Sequence, residues 1–351
     1  MKKFLHFLFT IWGVVSIIFF LFNILPGDPA RMMLDQNENS EQLQIIKKKY
    51  GFDKPILTQY GYYLNDLSPI SFHSTDKENY SFFNKEKYNG VKLFSIKKYE
   101  IYIKTPYLRE SFQKNGKKVN EIIAETLPNT IILATVAICI ATFLGIFLGS
   151  VSALYKDSWL DKSIQLISTL GVSIPSFFSA ILFSWFFGFV LHSYTHLPMT
   201  GNLYEIDDYG TGKYLKISNL ILPALALGVR PLAVVTQLMR NSLLEVLGKD
   251  YIRTAFAKGL NFKQVVFRHA LKNSLSPVVT ALSGWFAGML AGAVFIEYIF
   301  GWNGIGKEMV NALQTLDLPV IMGAVLVISI LFIFINMAVD IFYKMIDARI
   351  K

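Results

Sequence analysis

Long apolar runs, each closed by a cluster of charged or turn-forming residues, set the pattern of this chain. A helix needs about 20 apolar residues to cross roughly 30 Å of hydrocarbon. Six stretches meet that length with almost no charge: Phe4 to Leu25, Thr130 to Leu154, Ile164 to Leu191, Leu220 to Met239, Val278 to Phe300 and Pro319 to Tyr343. The pattern predicts an all-α polytopic membrane protein with six transmembrane helices. Lys2 and Lys3 precede the first run as in a signal peptide. Its apolar part is too long for one, however, and "NILPGDPA" offers no small-x-small cleavage site, so an uncleaved span is expected.

The polar stretches divide the chain further. Residues 1–27 are expected to hold the first span, 28–126 an outer domain, and 127–346 a five-helix core with a cytoplasmic loop at 241–274. Within the outer domain, "ISFHSTDKENYSFFNKEKYNGVKLFSIKKYEIYIKT" at 70–105 is rich in Tyr, Phe and Lys, with strand-like stretches. It reads as a small folded insertion.

Composition agrees with the hydropathy pattern: 53% of the 351 residues are hydrophobic and 17% charged, and mean hydropathy is +0.41. The net charge of +9 needs no nucleic acid to explain it, because membrane proteins collect Lys and Arg in their cytoplasmic loops. Lys2, Lys3, Lys156, Lys162, the basic residues between Arg240 and Lys272, and Lys344, Arg349 and Lys351 fall in alternate segments. The remaining short loops hold Lys213, Lys216 and Lys307 among five acidic residues. Both termini are therefore expected in the cytoplasm. Cys139 is the one cysteine, which rules out an internal disulfide and a cysteine-based metal site.

One basic, polar segment stands between two apolar runs: "DYIRTAFAKGLNFKQVVFRHALKNS", residues 250–274. Asp250 is placed to cap a helix, and Gly259 to end it with a positive φ. Asn261 and Gln264 have the spacing of a second capping signal, which would start a helix running into the fifth span. Ala255 and Gly259 lie four apart, so small residues on one face let another backbone approach, with Arg253 and Lys258 flanking it. Physics alone leaves two readings open, a basic loop resting on anionic lipid or a docking helix for a cytoplasmic partner.

The stretch "DYIRTAFAKGL…RHALKNSLSPVV" resembles the cytoplasmic loop of dipeptide and oligopeptide ABC-transporter permeases. Arg253, Thr254 and Ala255 take the places of the Glu-Ala-Ala that opens the general importer motif, and Gly259 that of its glycine. Similar segments follow in the family's order along nearly the whole chain: "LPGDPA", "YGFDKPILTQYGYYL", "AETLPNTIILA", "GVSIPSFF", "LPMTG", "QLMRNSLLEVL", "FGWNGIGKEMVNAL" and "DARIK". The 70–105 stretch has no counterpart. Two positions depart from the family: "YLRES" stands where it usually reads Gly-Asp-Leu-Gly before a Ser, and Gln237 where an Arg is common.

The resemblance implies a permease subunit of an ATP-driven importer of dipeptides or oligopeptides in the cytoplasmic membrane of a bacterium. It implies as partners a second homologous permease, two cytoplasmic ATPase subunits and an extracytoplasmic peptide-binding protein. The chain itself would be no enzyme and would bind no cofactor, with ATP and Mg held by the ATPases. Coupling to them would fall to Asp250, Tyr251, Ile252, Arg253, Thr254, Ala255, Ala257, Lys258, Gly259 and Leu260. Nickel or another small solute is the alternative cargo.

No other chemistry competes. Gly301 to Lys307 imitates a phosphate-binding loop, but Glu308 follows where a hydroxyl is needed. His192 and His196 lack the intervening Glu of a zinc-protease motif, and no metal site is expected. Arg230, in the middle of the fourth apolar run, is expected to face protein or water and to line the substrate path with Glu297 and Pro175. Asp340 is expected to pair with Lys344, four residues on, and Pro175, Pro223 and Pro231 to interrupt their spans and kink them around the cavity. An ion-coupled secondary transporter would need a cluster of intramembrane carboxylates, and a membrane-anchored sensor would not need six spans.

Overall fold

The computed structural model describes residues 2–24, 40–77, 79–114, 116–207 and 212–346. "LPGDPA" and "DARIK" lie outside these residues, and the side chains of Asp340 and Lys344 lie outside the described ones. Helices α1 (Lys2–Ile24), α2 (Ser40–Tyr50) and α3 (Ile56–Leu67) lead into strands β1 (Ile70–Ser74), β2 (Gly90–Ile96) and β3 (Tyr99–Lys104). Next come α4 (Val119–Leu154), α5 (Trp159–Ser173), α6 (Ser176–Phe183) with a π-helical continuation Ser184–Val190, and α7 (His192–Thr195). A ribbon of β4 (Tyr204–Ile206) and β5 (Lys213–Leu215) precedes α8 (Ser218–Leu247) and α9 (Asp250–Ala257). The chain continues through α10 (Phe262–Val265), a π-helical turn Val266–Ala270, α11 (Leu271–Ser274), α12 (Ser276–Phe300), α13 (Ile305–Gln314) and α14 (Leu318–Ile346).

Among the described residues, α4, α8, α12 and α14 are long and apolar enough to cross a membrane. The third apolar run is interrupted at Pro175 as expected, but by more than a kink: α5 and Ser176–Val190 meet at a bend of 112°. Pro175 causes it. Proline excludes the helical region for the residue before it, and Ile174 turns to ψ 131°. Pro175 then caps α6, its carbonyl accepting from the N–H groups of Phe178 and Ser179, both at 3.1 Å. By contrast, Pro223 and Pro231 are accommodated within α8, which continues through both. α1 is apolar over the shorter stretch Phe7–Asn23.

The chain forms two compact units. In the first, residues 1–125 and 308–330, α3 lies along α1 and the start of α14, joined by a cluster of Val15, Ile18, Phe19, Tyr63, Met322 and Leu326. The hydroxyls of Ser16 and Tyr60 meet at 2.6 Å. The strands form an antiparallel sheet in the order β1-β3-β2, so small sheets qualify the all-α expectation in a chain that is otherwise mainly helical.

One face of that sheet carries an aromatic core in which Phe83 stacks on Tyr102 at 3.7 Å and His73 meets Tyr88 edge-on at 4.8 Å. Beside it, buried Asp66 accepts from the hydroxyl of Tyr88 at 2.7 Å and from Arg109 Nε at 3.3 Å. The Asp66 carbonyl accepts from Lys104 Nζ, whose pKa burial pushes down to about 8.

The second unit, residues 126–307 and 331–351, is built around α8, against which α5, α6, α11 and α12 pack. α4 also closes on α8. A Cβ on Gly145 would come within 2.6 Å of Val235 Cγ1, and one on Gly149 within 2.5 Å of the Thr236 carbonyl. Glycines spaced by four let two membrane helices touch backbone to backbone, which replaces the hydrophobic drive that lipid cannot supply.

Candidate functional site

The basic segment forms a short helix with two different faces. Ile252 and Ala255 on α9 are buried, and they join Val246, Leu243 and Met239 of α8, and Val265 and Ala270 beyond it, in one apolar cluster. Tyr251, Arg253, Thr254, Phe256, Ala257, Lys258 and Gly259 are exposed, and Leu260 is half-buried. Two sequence expectations change here. Ala255 faces its own chain, so its small size serves internal packing rather than a partner. Phe256, absent from the expected coupling set, presents a 42% exposed aromatic ring although it follows Ile252 by four residues on the flank of the buried face, a place that helical spacing assigns to the core, so the sequence carried no signal for its exposure.

The ends of α9 are closed by backbone geometry. Lys249, extended at φ −78° and ψ 150°, is the N-cap, with no side-chain capping bond. The expectation that Asp250 caps the helix is thereby corrected: it is the first helical residue, one place too late to fold back on the orphan N–H groups. Its carboxylate lies 3.5 Å from Arg253, while still favouring the positive end of the helix dipole.

At the other end, Leu260 N–H donates to the Ala255 carbonyl and Gly259 N–H to that of Phe256. Gly259 has φ +83°. These are the two bonds of a Schellman stop, in which a left-handed glycine satisfies the last carbonyls. A capping box follows at once: Gln264 N–H donates to Asn261 Oδ1 at 2.9 Å, and Asn261 N–H to Gln264 Oε1 at 3.1 Å. Back-to-back stop and start signals leave little freedom in the turn at 258–261. The continuous helix expected from there into the fifth span is broken by the π-helical turn Val266–Ala270.

A buried ion pair holds the base of this assembly. Asp161, at the start of α5, accepts a two-pronged bond from Arg240 of α8, Nε to Oδ1 and Nη2 to Oδ2, each at 2.7 Å. Ser152 of α4 and the Asp157 N–H also donate to the carboxylate. Planar guanidinium and carboxylate meet in the geometry that makes such pairs strong. The pair ties the ends of α4, α5 and α8 together where the chain leaves α8 for α9. Sequence reading missed it, because 79 residues separate the partners.

Comparison with known proteins identifies this architecture. Residues 123–351 match the family described as binding-protein-dependent transport system inner membrane component, and residues 1–85 match its N-terminal model. The chain belongs to this family. Among curated members of this permease family, the dipeptide transport system permease protein DppB of Alkalihalophilus pseudofirmus is 32% identical over 364 residues, covering 100% of this chain and 98% of its own length. The protein of the same name from Lactococcus lactis subsp. cremoris is 32% identical, with coverages of 98% and 96%.

The fold is shared with the inward-facing MetNI methionine ABC transporter, at a TM-score of 0.52 and 16% identity over 64% of this chain and 96% of that one. The resemblance to dipeptide and oligopeptide permeases drawn from "DYIRTAFAKGL" is therefore borne out at the level of the family, as is an ABC-importer permease embedded in the membrane by several apolar helices. Neither family match covers residues 86–122.

The expected substrate-path residues of this permease differ in burial: Arg230 and Pro175 are exposed and Glu297 is buried. Arg230 is exposed on α8 and makes no hydrogen bond or ion pair with another described residue. Pro175 is exposed at the bend.

Glu297 is fully buried, which corrects its expected role in meeting substrate. Its Oε2 accepts from the N–H groups of Gly306 at 2.7 Å and Lys307 at 3.2 Å, capping α13 from outside. A Cβ on Gly304 would lie 2.2 Å from Glu297 Oε1, so the glycines of "FGWNGIGKEM" fold around a carboxylate, not a phosphate. His192 bonds the Leu197 carbonyl through Nδ1 at 2.9 Å, and the described residues contain no group of three or more metal-ligating side chains.

Proposed function

We propose that this permease moves dipeptides or short oligopeptides inward, driven by ATPase subunits that dock on α9. The observation that carries the reading is the two-sided burial of α9: Ile252 and Ala255 are sealed into the chain's own core while Phe256, Tyr251 and Arg253 stand exposed. An aromatic ring beside an arginine is the composition of a binding hot spot. The short-peptide cargo rests on relatives named as dipeptide permeases.

In this reading α1, α4, the bent α5–α6 pair, α8, α12 and α14 make six spans with both termini in the cytoplasm, following the lysine bias. ATP and Mg are bound by two ATPase subunits, a second homologous permease closes the cavity, and an extracytoplasmic binding protein delivers the peptide. ATP-driven closure pushes α9, and the core beneath it passes the displacement to α8 and through α11 to α12. That is alternating access by nearly rigid elements. Arg230 lines the path and meets the peptide carboxylate. Facing lipid instead, it would cost roughly 2.5–3.5 kcal/mol.

The test is uptake by vesicles containing the permease, its partner permease, the ATPases and the binding protein. Labelled dipeptide should accumulate only with ATP, and Arg230→Ala should lower uptake without altering assembly. Accumulation of nickel with no dipeptide uptake would overturn the cargo, and uptake by the isolated chain would overturn the ATP-driven reading.

A further inference from the structure

The sheet of the first unit has two unlike faces. Directly opposed residues of antiparallel strands share a face, so the pairs Ile70–Ile103, Phe72–Ile101, Val91–Ile103, Phe94–Ile101 and Ile96–Tyr99 lie together. The other face already holds the aromatic core of His73, Phe83, Tyr88 and Tyr102. On the first face Val91 is 73% exposed and Ile70, Phe72, Phe94, Ile96, Tyr99 and Ile103 each about half; Ile101, at the centre, and Ser74, at the end of β1, are covered. Soluble surfaces rarely leave so continuous an apolar patch bare.

We propose that this face rests on the bilayer surface as a second, monotopic membrane contact. Continuity with the membrane-embedded helices favours lipid as its occupant. Only Ser68 and Pro69 separate β1 from α3, and α3 packs along α1 as far down as Ser16, in the middle of the apolar stretch Phe7–Asn23. The sheet is thus tethered, within two residues, to a helix that reaches bilayer depth.

Charge points the same way. Lys97 and Lys98 form the exposed tip of the β2–β3 hairpin and make no ion pair among the described residues. Apolar side chains at the headgroup boundary, tyrosine at its edge and lysines reaching anionic headgroups are how a surface element binds a membrane without spanning it.

The full chain tests this after Cys139→Ser and Phe94→Cys substitution, labelling with the polarity-sensitive dye NBD and reconstitution in phosphatidylethanolamine–phosphatidylglycerol vesicles. Emission should be blue-shifted and quenched by doxyl-labelled phosphatidylcholine, while a label at exposed Lys85 should report water. Val91→Cys gives a second reporter on the edge strand should Phe94→Cys fail to fold. Lys97→Glu with Lys98→Glu should reduce the quenching when phosphatidylglycerol is present and not in its absence. Water-like emission at both reporters, or a shift that appears only on adding the binding protein or with rising permease concentration, overturns the proposal.

Discussion

Replacing Asp161 with Ala tests whether the Asp161–Arg240 pair fixes the base of the coupling segment. The substitution removes two bonds from Arg240 and one each from Ser152 and the Asp157 N–H. It leaves a guanidinium whose side chain is only 19% exposed. Breaking a buried pair from one side costs about 3–5 kcal/mol, mostly because the survivor stays desolvated. Arg240 keeps some access to solvent, which puts the expected loss at the lower end, about 3 kcal/mol, or on the order of a hundredfold in the folding equilibrium.

A double-mutant cycle in mixed micelles isolates the pair: Asp161→Ala, Arg240→Ala and the double variant, each followed by equilibrium denaturation. The double variant should be more stable than the sum of the single losses implies, with a coupling of about 1–3 kcal/mol. Additivity within about 0.5 kcal/mol would refute the reasoning. The single variants should also bind ATPase subunits normally yet transport poorly, since the helix would remain while its anchorage loosened.

Three further outcomes follow from local geometry. Gly304→Ala puts a methyl against Glu297 Oε1, and the buried carboxylate cannot move without releasing the N–H groups of Gly306 and Lys307. A loss of about 1–3 kcal/mol in thermal or chemical denaturation is expected, and a neutral result would contradict the capping role. Gly259→Val forces a β-branched residue to φ +83° with nothing within 4 Å of its Cβ, so the cost is conformational, about 1–2 kcal/mol, with Gly259→Asn milder. Lys104 has a folded pKa near 8, below its ordinary 10.5, so the unfolded chain holds more protons between those values. Stability of the sheet should therefore rise with pH from about 8 to about 10.5, read as hydrogen-exchange protection of β3, and Lys104→Met should flatten that rise.

Apolar run length disclosed α4, α8, α12 and α14, because crossing hydrocarbon demands nearly unbroken hydrophobic sequence whatever surrounds it. Gly259, Asn261 and Gln264 were legible for a similar reason, since their bonds close within a few residues. Asp250 misled because capping depends on which residue first turns helical, and the extended backbone at Lys249 decides that one place earlier. Pro175 was visible as a break, but its 112° angle depends on what α5 and α6 pack against. Ala255 was ambiguous by nature: a small residue suits a partner's approach and a tight core equally, and only burial decides. Glu297 and Asp161 were the furthest out of reach, as carboxylates on apolar helices whose partners are set by tertiary packing.

The central claim is that the exposed face of α9 receives force from a separate ATPase. A photo-crosslinking benzophenone amino acid in place of Phe256, in membranes carrying the assembled transporter, tests it most directly. The account predicts that irradiation joins this chain to an ATPase subunit, and that a benzophenone in place of inward-facing Ile252 does not. Capture of lipid alone at position 256, with the ATPases present and active, would contradict it.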